Sequence, residues 1–433
     1  MKFVINPIRP ALCEAAQDFY LLVRLQSQPE AGFKRTPLKL ALVIDRSGSM
    51  QGPKLSEAKR CVTDLVGRMN PSDQVGLVQY DDSVDTVVSL AAVDQSGSAL
   101  QALVQGITAG GSTNLHAGWL RAGEMLAPHA GRDAACHVVL LSDGLAIAGL
   151  IDPARICEQV TALAGAGVTT TTVGLGTDFN EELMTAVAKA GQGSALYGER
   201  AIDLAETFES EIGLLSQLQW RNVELAITHG PAGVDLLNAY ESTPKGWRMP
   251  SVAMGSECLA LLRMPMREAL RAQREHATVL SIQVQATDSS GVRQVFSGKL
   301  PPLPHLQQAD FEGLPIHELV QRRITELSAA QLQLQIRAAA LHGDWARAEL
   351  LLAQLESLGQ HEPWVAASIA FTRQLMHQRD EQRMSKEMMY KSRKMQSRLS
   401  STDEARFSLK DDAQAPAHLR RKPTEGRRTE IQM

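Results

Sequence analysis

The sequence predicts an α/β domain with a doubly wound, mostly parallel sheet, inserted in a β-sandwich and followed by a helical segment and a disordered tail. Strand-like and helix-like segments alternate from residue 38 to 216, which is typical of a doubly wound sheet. Strand-like runs without helices fill residues 217–304, and two more precede residue 36. From residue 316 the apolar spacing is helical, and a basic, serine-rich stretch closes the chain.

Continuous apolar runs predict the strands of the α/β domain. The runs "LKLALVID" (38–45), "QVGLVQYD" (74–81) and "CHVVLLSDG" (136–144) are expected of strands that helices cover on both faces. The run "DTVVSLAAV" (85–93) follows the second of these after a very short turn, so the two are predicted to pair antiparallel. Further strands are predicted at 168–176 and at "SALYG" (194–198). Helical spacing and capping residues predict helices over 54–69, 97–107, 114–127, 152–167, 181–190 and 203–216.

The β-sandwich is predicted to be discontinuous in sequence. The strand-like runs "FVINP" and "FYLLVRLQ" have no place in the α/β domain, so they are assigned to the later strands, with a short separate arm as the alternative. The stretch "TDSSG" (287–291) predicts a hairpin turn. The predicted boundaries are 1–36 and 217–304 for the β-sandwich, 37–216 for the α/β domain, 316–377 for the helical segment and 378–433 for a basic helix with a disordered tail.

The C-terminal stretch has more Lys and Arg than Asp and Glu, and it is rich in serine and methionine. A basic helix is predicted near its start and disorder beyond about residue 400. A solubilising tail is one interpretation. A docking segment or a phosphorylated switch is the other. The candidate phosphorylation sites are Ser392, Ser397, Ser400 and Ser401.

Composition excludes some classes of function. The formal net charge of −4 gives no reason to expect a nucleic-acid partner. The five cysteines are scattered without metal-ligand spacing, which favours buried, reduced thiols in a cytosolic protein. The first 20 residues lack the apolar stretch of a signal peptide, and no run reaches the roughly 18 apolar residues of a membrane span. A cytoplasmic location without a membrane span is therefore the expectation.

Oxygen-bearing side chains follow the predicted strands of the α/β domain. Asp45, Ser47 and Ser49 come after the first strand, Thr113 lies in a glycine-rich loop before a helix, and Asp143 ends a later strand. The carboxyl ends of the strands in a doubly wound sheet form its binding face, so these residues are expected to converge there. Two carboxylates and three hydroxyls suit a hard cation, Mg²⁺ or Mn²⁺. The alternative is that these residues have a purely structural role and cap turns and helices. That role explains each residue by itself, but it does not explain why all five occur together.

This set resembles the von Willebrand factor A domain with its metal-ion-dependent adhesion site. The family pattern of D-x-S-x-S, a later threonine and a later aspartate falls on Asp45, Ser47, Ser49, Thr113 and Asp143 without departure. The resemblance runs from about residue 38 to 216 and implies that these five residues hold Mg²⁺. It also implies one open position on the ion for an Asp or Glu side chain of a partner protein.

Three further residues are candidates for the rim of the site. Asp81 and Asp82 end the second predicted strand and either select a partner or form an exposed turn. His116 follows Thr113 by three residues and is expected on the rim or in packing rather than in catalysis. No general base is evident, so the prediction is not an enzyme, although a bound metal can activate water for hydrolysis.

The flanking β module resembles, in layout only, integrin β-subunit heads and inter-α-trypsin-inhibitor heavy chains with their bacterial relatives. The absence of an export signal makes the chain more similar to intracellular bacterial proteins with an A domain, which serve as scaffolds, some beside AAA+ ATPases. The predicted function is a metal-dependent protein-interaction scaffold whose partner presents an acidic side chain, such as an AAA+ ATPase or a regulatory complex. The alternatives are a metal-dependent hydrolase and a scaffold that binds through its C-terminal helices and tail.

Overall fold

A computed structural model describes residues 1–28, 35–131, 134–143, 146–176, 179–198, 204, 208, 211–359, 362–379 and 381–397. The strands are β1 Lys2–Pro7, β2 Asp18–Gln26, β3 Leu38–Asp45, β4 Gln74–Tyr80, β5 Val84–Ala92, β6 Ala135–Ser142, β7 Val168–Leu175, β8 Gln192–Gly198, β9 Leu218–His229, β10 Asp235–Leu236, β11 Glu241–Thr243, β12 Gly246–Arg248, β13 Val252–Ala253, β14 Glu257–Pro265, β15 Ser281–Asp288 and β16 Arg293–Lys299. The helices are α1 Pro53–Gly67, α2 Val93–Gly106, α3 Leu115–Leu126, α4 Pro153–Gly165, α5 Glu181–Ala190, α6 Met266–His276, α7 Gln308–Glu312, α8 Glu318–Leu341, α9 Trp345–Gly359, α10 Pro363–Gln378 and α11 Glu381–Ser397.

The chain forms two compact units, one of which is the α/β domain between Lys34 and Leu218. Its six-stranded sheet has the order β5-β4-β3-β6-β7-β8, in which only β5 runs antiparallel, to β4. The predicted doubly wound fold and the antiparallel pair are confirmed. The strand order turns outward in both directions from β3 and β6, so the carboxyl ends of these two strands meet at the topological switch point. A ligand site in such a sheet is expected beside that point.

Helices cover both faces of this sheet because its strands are apolar throughout. All residues of β6 are buried, as are seven of the eight in β3. On one side, β3 and α1 share an apolar core that includes Leu42, Ile44 and Val62. On α3, Trp119 is buried and donates a hydrogen bond to Thr170 of β7 at 3.1 Å. Helix α2 begins at Val93, earlier than the 97–107 predicted, and the structure describes residues 204, 208 and 211–216 of the predicted helix 203–216.

The second unit contains the β-sandwich. One sheet has the order β1-β2-β14-β10, and the other has the order β11-β12-β9-β15-β16. Both sheets contribute to one apolar core, with Leu25 and Leu261 from the first, and Val223 and Val284 from the second. Strand β2 pairs along its whole length with β14, so the N-terminal strands belong to the β-sandwich, and the alternative of a separate arm is wrong.

The two ends of the inserted domain are close to one another, which is what an insertion requires. Within the second unit, Ser27 precedes the α/β domain and Gln219 follows it, and Ser27 Oγ donates a hydrogen bond to Gln219 Oε1. Within the α/β domain, the amide of Thr36 donates to the carbonyl of Ser216 at 3.0 Å. A domain with adjacent ends can be inserted without breaking the host sheet.

The prediction that the β module lacks helices is wrong. Helix α6 follows β14 directly and buries Met266, Ala269 and Leu270 against the core of the β-sandwich. These residues recur at helical spacing in an otherwise charged stretch, "MREALRAQREH", so only a narrow apolar stripe marks the helix.

The C-terminal helices pack together in the same unit. Helices α8 and α9 form a hairpin whose turn contains Gly343 at φ +71°, and α11 packs along α8. Arg337 of α8 donates to Ser385 Oγ of α11 at 2.8 Å, and Met384 and Met388 join the apolar core of the bundle. The basic helix predicted near the start of the tail is therefore part of the bundle. Among the described residues, no helix combines the length and apolarity needed to cross a membrane.

Candidate metal centre

The first of the loops that carry the candidate ligands follows β3. Asp45 is the last residue of the strand, and its Oδ1 accepts a hydrogen bond from the amide of Ser47 at 2.9 Å. This is the Asx turn that an aspartate readily forms two residues ahead of an amide. A short 3₁₀ turn, Gly48–Met50, then brings Ser49 Oγ to 3.1 Å from Ser47 Oγ. The turn therefore places the oxygens of the D-x-S-x-S pattern together at the carboxyl edge of the sheet.

Asp45 is fully buried, and neighbouring strands hold its second oxygen. Oδ2 accepts hydrogen bonds from Ser142 Oγ at 2.6 Å and from Tyr80 Oη at 3.1 Å. Burial raises the pKa of Asp45, hydrogen bonds from Ser142 and Ser47 oppose that rise, and the negative charge of Asp143 adds to it. Burial therefore makes the charged form of this carboxylate less favourable than that of an exposed aspartate.

Asp143 lies directly after β6 and is also fully buried. Its Oδ2 is 3.3 Å from Lys54 Nζ at the start of α1, whereas Oδ1 has no hydrogen-bond partner among the described residues. Because Ile44 of β3 is opposite Leu141 of β6, the two aspartates leave the sheet side by side. A buried carboxylate oxygen without a donor is costly in a folded protein and fits the position of a cation ligand.

The threonine loop is fixed between the loops of the two aspartates. The amide of Gly48 donates to the carbonyl of Gly111 at 3.1 Å, and Gly111 adopts φ +68°, which glycine accepts without strain. On the other side, the carbonyl of Thr113 accepts from the amides of Ile147 and Ala148, both at 3.1 Å. Backbone hydrogen bonds therefore join the three loops that carry Asp45, Thr113 and Asp143, and Thr113 is buried between them.

The donor set fits a hard divalent cation. Four of the five candidate ligands are buried at one sheet edge and Ser49 is exposed there, and Asp143 Oδ1 has no donor within the described part of the chain. Across the described residues, no three His, Cys, Asp or Glu side chains cluster so as to hold a metal ion, so a centre here depends on the hydroxyl oxygens as well as the two carboxylates. Mg²⁺ or Mn²⁺ as the occupant stays a prediction that this geometry favours.

Asp81 and Asp82 lie beside the threonine loop. The backbone carbonyl of Asp81 accepts a hydrogen bond from the amide of Asn114 at 2.9 Å. The Asp81 carboxylate accepts a hydrogen bond from Ser83 Oγ and lies 3.1 Å from Nη2 of Arg46. A Cβ at Gly111 would collide with Asp82 Oδ1 and lie 2.9 Å from Asp81 Cβ, and the φ of +68° at Gly111 also favours glycine. The acidic pair borders the candidate site, and its role in selecting a partner stays a prediction.

The remaining predicted residues are His116 and four serines of the C-terminal stretch. His116 Nε2 is 3.0 Å from Gln159 Oε1, and its ring packs 6.0 Å from the ring of Trp119, so it connects α3 to α4. Ser392 is fully buried on α11, where it donates to Gln333 Oε1 at 3.3 Å; a kinase would reach it only after α11 separates from α8. The side chain of Ser397, and all of Ser400 and Ser401, lie outside the described residues.

Sequence reasoning missed three residues at the site. They are Tyr80 and Ser142, which hold Asp45, and Lys54, which pairs with Asp143. Ser142 stands directly before Asp143 in "LLSDG", and Tyr80 ends the strand beside β3, so both positions were visible once the strand order was known. Lys54 carried no local signal, because its partner is 89 residues away.

Comparisons with known proteins agree with this architecture. Residues 39–210 match the family described as the von Willebrand factor type A domain. Within this chain, the α/β domain is therefore a von Willebrand factor type A domain, with the fold that the sequence predicted.

Relatives of the chain are found in bacteria and in animals. The uncharacterized protein sll0103 of Synechocystis sp. is 25% identical over 284 residues, which cover 62% of this chain and 66% of that protein. Inter-alpha-trypsin inhibitor heavy chain H1 of Mesocricetus auratus is 32% identical over 128 residues, which cover 28% of this chain and 14% of that protein. The chain aligns with less than two thirds of the length of either relative.

The fold of nearly the whole chain recurs in a solved structure. A von Willebrand factor type A protein from Catenulispora acidiphila superposes with a TM-score of 0.66 at 18% sequence identity. The match covers 84% of this chain and 88% of that one, so the likeness extends beyond the α/β domain.

Proposed function

We propose that this chain is a metal-dependent protein-binding module that holds Mg²⁺ or Mn²⁺ and captures an acidic side chain of a partner protein. Asp45, Ser47, Ser49, Thr113 and Asp143 would hold the ion. The observation that carries the proposal is the pair of fully buried aspartates at the switch point, one of which has a carboxylate oxygen without a donor among the described residues. When bound, the ion supplies a positive centre for an incoming carboxylate.

The residues of the chain support capture of an anion rather than tight enclosure of the metal. Three of the five candidate ligands are neutral hydroxyls, so the site neutralises a divalent charge less than a cage of carboxylates would. Ser49 is exposed, which leaves one side of the site open to a partner. A partner carboxylate completes the charge balance there, as charge-assisted recognition requires.

An exposed apolar side chain beside the threonine loop supports a protein as the partner. Ile147 is 68% exposed and Ile151 is 55% exposed, and the amide of Ile147 is bonded to the carbonyl of Thr113. An apolar side chain in this position could contribute to the apolar core of a protein–protein contact around the polar site. No catalytic role is proposed, and His116, the histidine that follows the threonine loop, is engaged with Gln159. A cytoplasmic location and a partner of the AAA+ class stay predictions.

Manganese binding is the direct test of the proposal. Full-length protein is titrated with Mn²⁺ and the free ion is followed by electron paramagnetic resonance, for the natural sequence and for Asp45→Asn and Thr113→Ala. We expect one site in the natural protein and at least a tenfold loss of affinity in each variant, with the melting temperature of the metal-free protein as the control for folding. Equal binding by all three proteins would reject the proposed centre.

Capture of a partner is tested separately. Tagged protein is retained on resin with extract from its native cell, with Mg²⁺ or with chelator, and bound proteins are identified by mass spectrometry. A partner that depends on both the metal and Asp45 supports the proposal. Proteins that are captured equally with Mg²⁺ and with chelator bind outside the proposed centre. If every captured protein behaves in this way, the proposed adhesion function is wrong.

A further inference from the structure

Lys54 occupies an unfavourable place for a cation. It is the second residue of α1, after Pro53, and the first turn of this helix contains no acidic residue. The N-cap is Gly52, at φ +85°, which provides no side-chain oxygen to the free amides of the helix. The amino end of a helix carries a partial positive charge, so a lysine here destabilises the helix unless an anion compensates it. The anion must therefore be sought among the groups that Lys54 contacts.

The ammonium of Lys54 contacts a candidate metal ligand. Lys54 Nζ is 3.3 Å from Asp143 Oδ2, and the side chains are 18% and 0% exposed, respectively. Asp143 directly follows β6, and Asp45 ends the neighbouring strand β3, so the two acids leave the sheet side by side. A positive side chain thus reaches into the pair of acids that the divalent ion would bind, where water screens little.

We infer that Lys54 is an internal cation that competes with the divalent metal for Asp143 and thereby sets the affinity of the centre. The inference rests on the proposed function, because it assumes that Asp143 is a ligand. An ammonium and a metal ion that bind the same buried carboxylate repel one another, so metal binding must displace Lys54 or bear the repulsion. Lys54 also compensates the buried charge of Asp143 in the absence of metal, which keeps the metal-free domain folded. The centre would then fill only when the divalent ion is abundant enough to outcompete the lysine.

Three variants of α1 test the inference. Lys54→Met keeps the aliphatic stem and removes the charge, whereas Lys54→Arg keeps the charge. Lys59→Met is the matched control, because Lys59 lies on the same helix and donates to the carbonyl of Gln105 at 2.9 Å instead of to an acid. Mn²⁺ is titrated into each full-length protein by electron paramagnetic resonance at low and at high ionic strength.

We expect Lys54→Met to bind Mn²⁺ at least about tenfold more tightly than the natural protein, and Lys54→Arg and Lys59→Met to bind within about threefold of it. Added salt is expected to reduce the gain, since it screens the repulsion that was removed. Unchanged or weaker binding by Lys54→Met would overturn the inference. If the natural protein and Asp45→Asn bind Mn²⁺ alike, the proposed centre fails instead, so the two failures are distinguishable.

Thermal unfolding covers the case in which Lys54→Met folds poorly without metal. The inference requires a lower melting temperature for metal-free Lys54→Met and a larger rise on adding saturating Mn²⁺ than in the natural protein. Lys54→Gln, which retains a donor for Asp143 without the charge, should restore the metal-free melting temperature while keeping the tighter binding. The inference is wrong if Mn²⁺ raises the melting temperatures of Lys54→Met and Lys54→Gln by no more than it raises that of the natural protein.

Discussion

Two buried carboxylates, one in each unit of the molecule, have opposite surroundings. Glu257 of β14 accepts hydrogen bonds from Arg24 Nε at 3.1 Å, from Arg24 Nη2 at 3.2 Å and from Gln26 Nε2 at 2.9 Å, so both of its oxygens are satisfied. Asp143 has one contact with an ammonium at 3.3 Å and an oxygen without a donor among the described residues. The chain saturates Glu257 with its own donors and leaves Asp143 incomplete, as the proposed metal ligand requires.

Breaking the saturated pair should have the largest effect on stability. Arg24→Met leaves the charge of Glu257 buried and uncompensated, so we expect the free energy of unfolding to fall by about 3–5 kcal/mol. The measurement is urea unfolding with and without Mn²⁺, and the loss should be the same in both, since Arg24 lies outside the proposed centre.

Arg263→Met is the matched control for that prediction. Arg263 and Asp235 form an ion pair at 2.8 Å on the same sheet, but their side chains are 43% and 57% exposed. Such pairs contribute less than about 1 kcal/mol. A loss for Arg24→Met as small as that of the control would show that the buried pair does not stabilise the β-sandwich.

Acid should weaken the α/β domain through a residue on the strand that precedes Asp143. His137 of β6 is fully buried, and burial lowers its pKa to about 4. A histidine whose folded pKa lies below its ordinary value of about 6.5 contributes stability above pH 6.5 and loses it as pH falls toward 4. We expect a loss of about 3 kcal/mol across that window from this residue.

His137→Gln tests the assignment of that acid sensitivity. The variant cannot take up the proton, so its free energy of unfolding should vary less between pH 7 and pH 4.5 than that of the natural protein. Urea unfolding of the full chain at several pH values measures this. If the two proteins lose stability in parallel, the acid sensitivity lies in other groups.

Removing the incomplete carboxylate should change metal binding and leave stability nearly as it was. Asp143→Asn is expected to reduce the affinity for Mn²⁺ at least about 100-fold, because it removes a charged ligand. Its metal-free stability should fall far less than that of Arg24→Met, since asparagine removes the buried negative charge and keeps an oxygen that can accept from Lys54. A fall in stability as large as that of Arg24→Met would mean that Asp143 is a structural residue and would erase the contrast between the two carboxylates.

The sequence was sufficient for the strands and loops that position the site. Runs of buried residues in β3, β4 and β6 define the sheet, and the spacing of Asp45, Ser47 and Ser49 reflects a local turn that depends on neighbouring residues alone. Local periodicity also predicted the hairpin of β4 and β5 and the N-terminal strands of the β-sandwich.

Contacts between distant residues could not be predicted in this way. The polar composition of α6 hid its narrow apolar stripe, and the basic character of α11 hid the methionines with which it joins the bundle. The partners of Asp45 and Asp143 come from β4, β6 and α1, so they appear only when the strand order and the helix position are known. The pattern of a single sequence predicts the periodicity of helices and strands, but it does not predict which side chains contact one another across a core.

The smallest expected effect concerns a residue that supports Asp45 without being a candidate ligand. Ser142 Oγ donates to Asp45 Oδ2 at 2.6 Å, and Ser142→Ala would leave that oxygen with Tyr80 as its remaining donor among the described residues. Because a ligand oriented by fewer hydrogen bonds binds metal less well, we expect about a tenfold loss of Mn²⁺ affinity. The control is Ser194→Ala, which removes a bond of the same kind to Glu211 at 2.9 Å and should leave the affinity unchanged. Equal effects of the two variants on Mn²⁺ binding would show that hydroxyl groups in this domain act through general stability, and that the hydrogen bond to Asp45 has no special part in the centre.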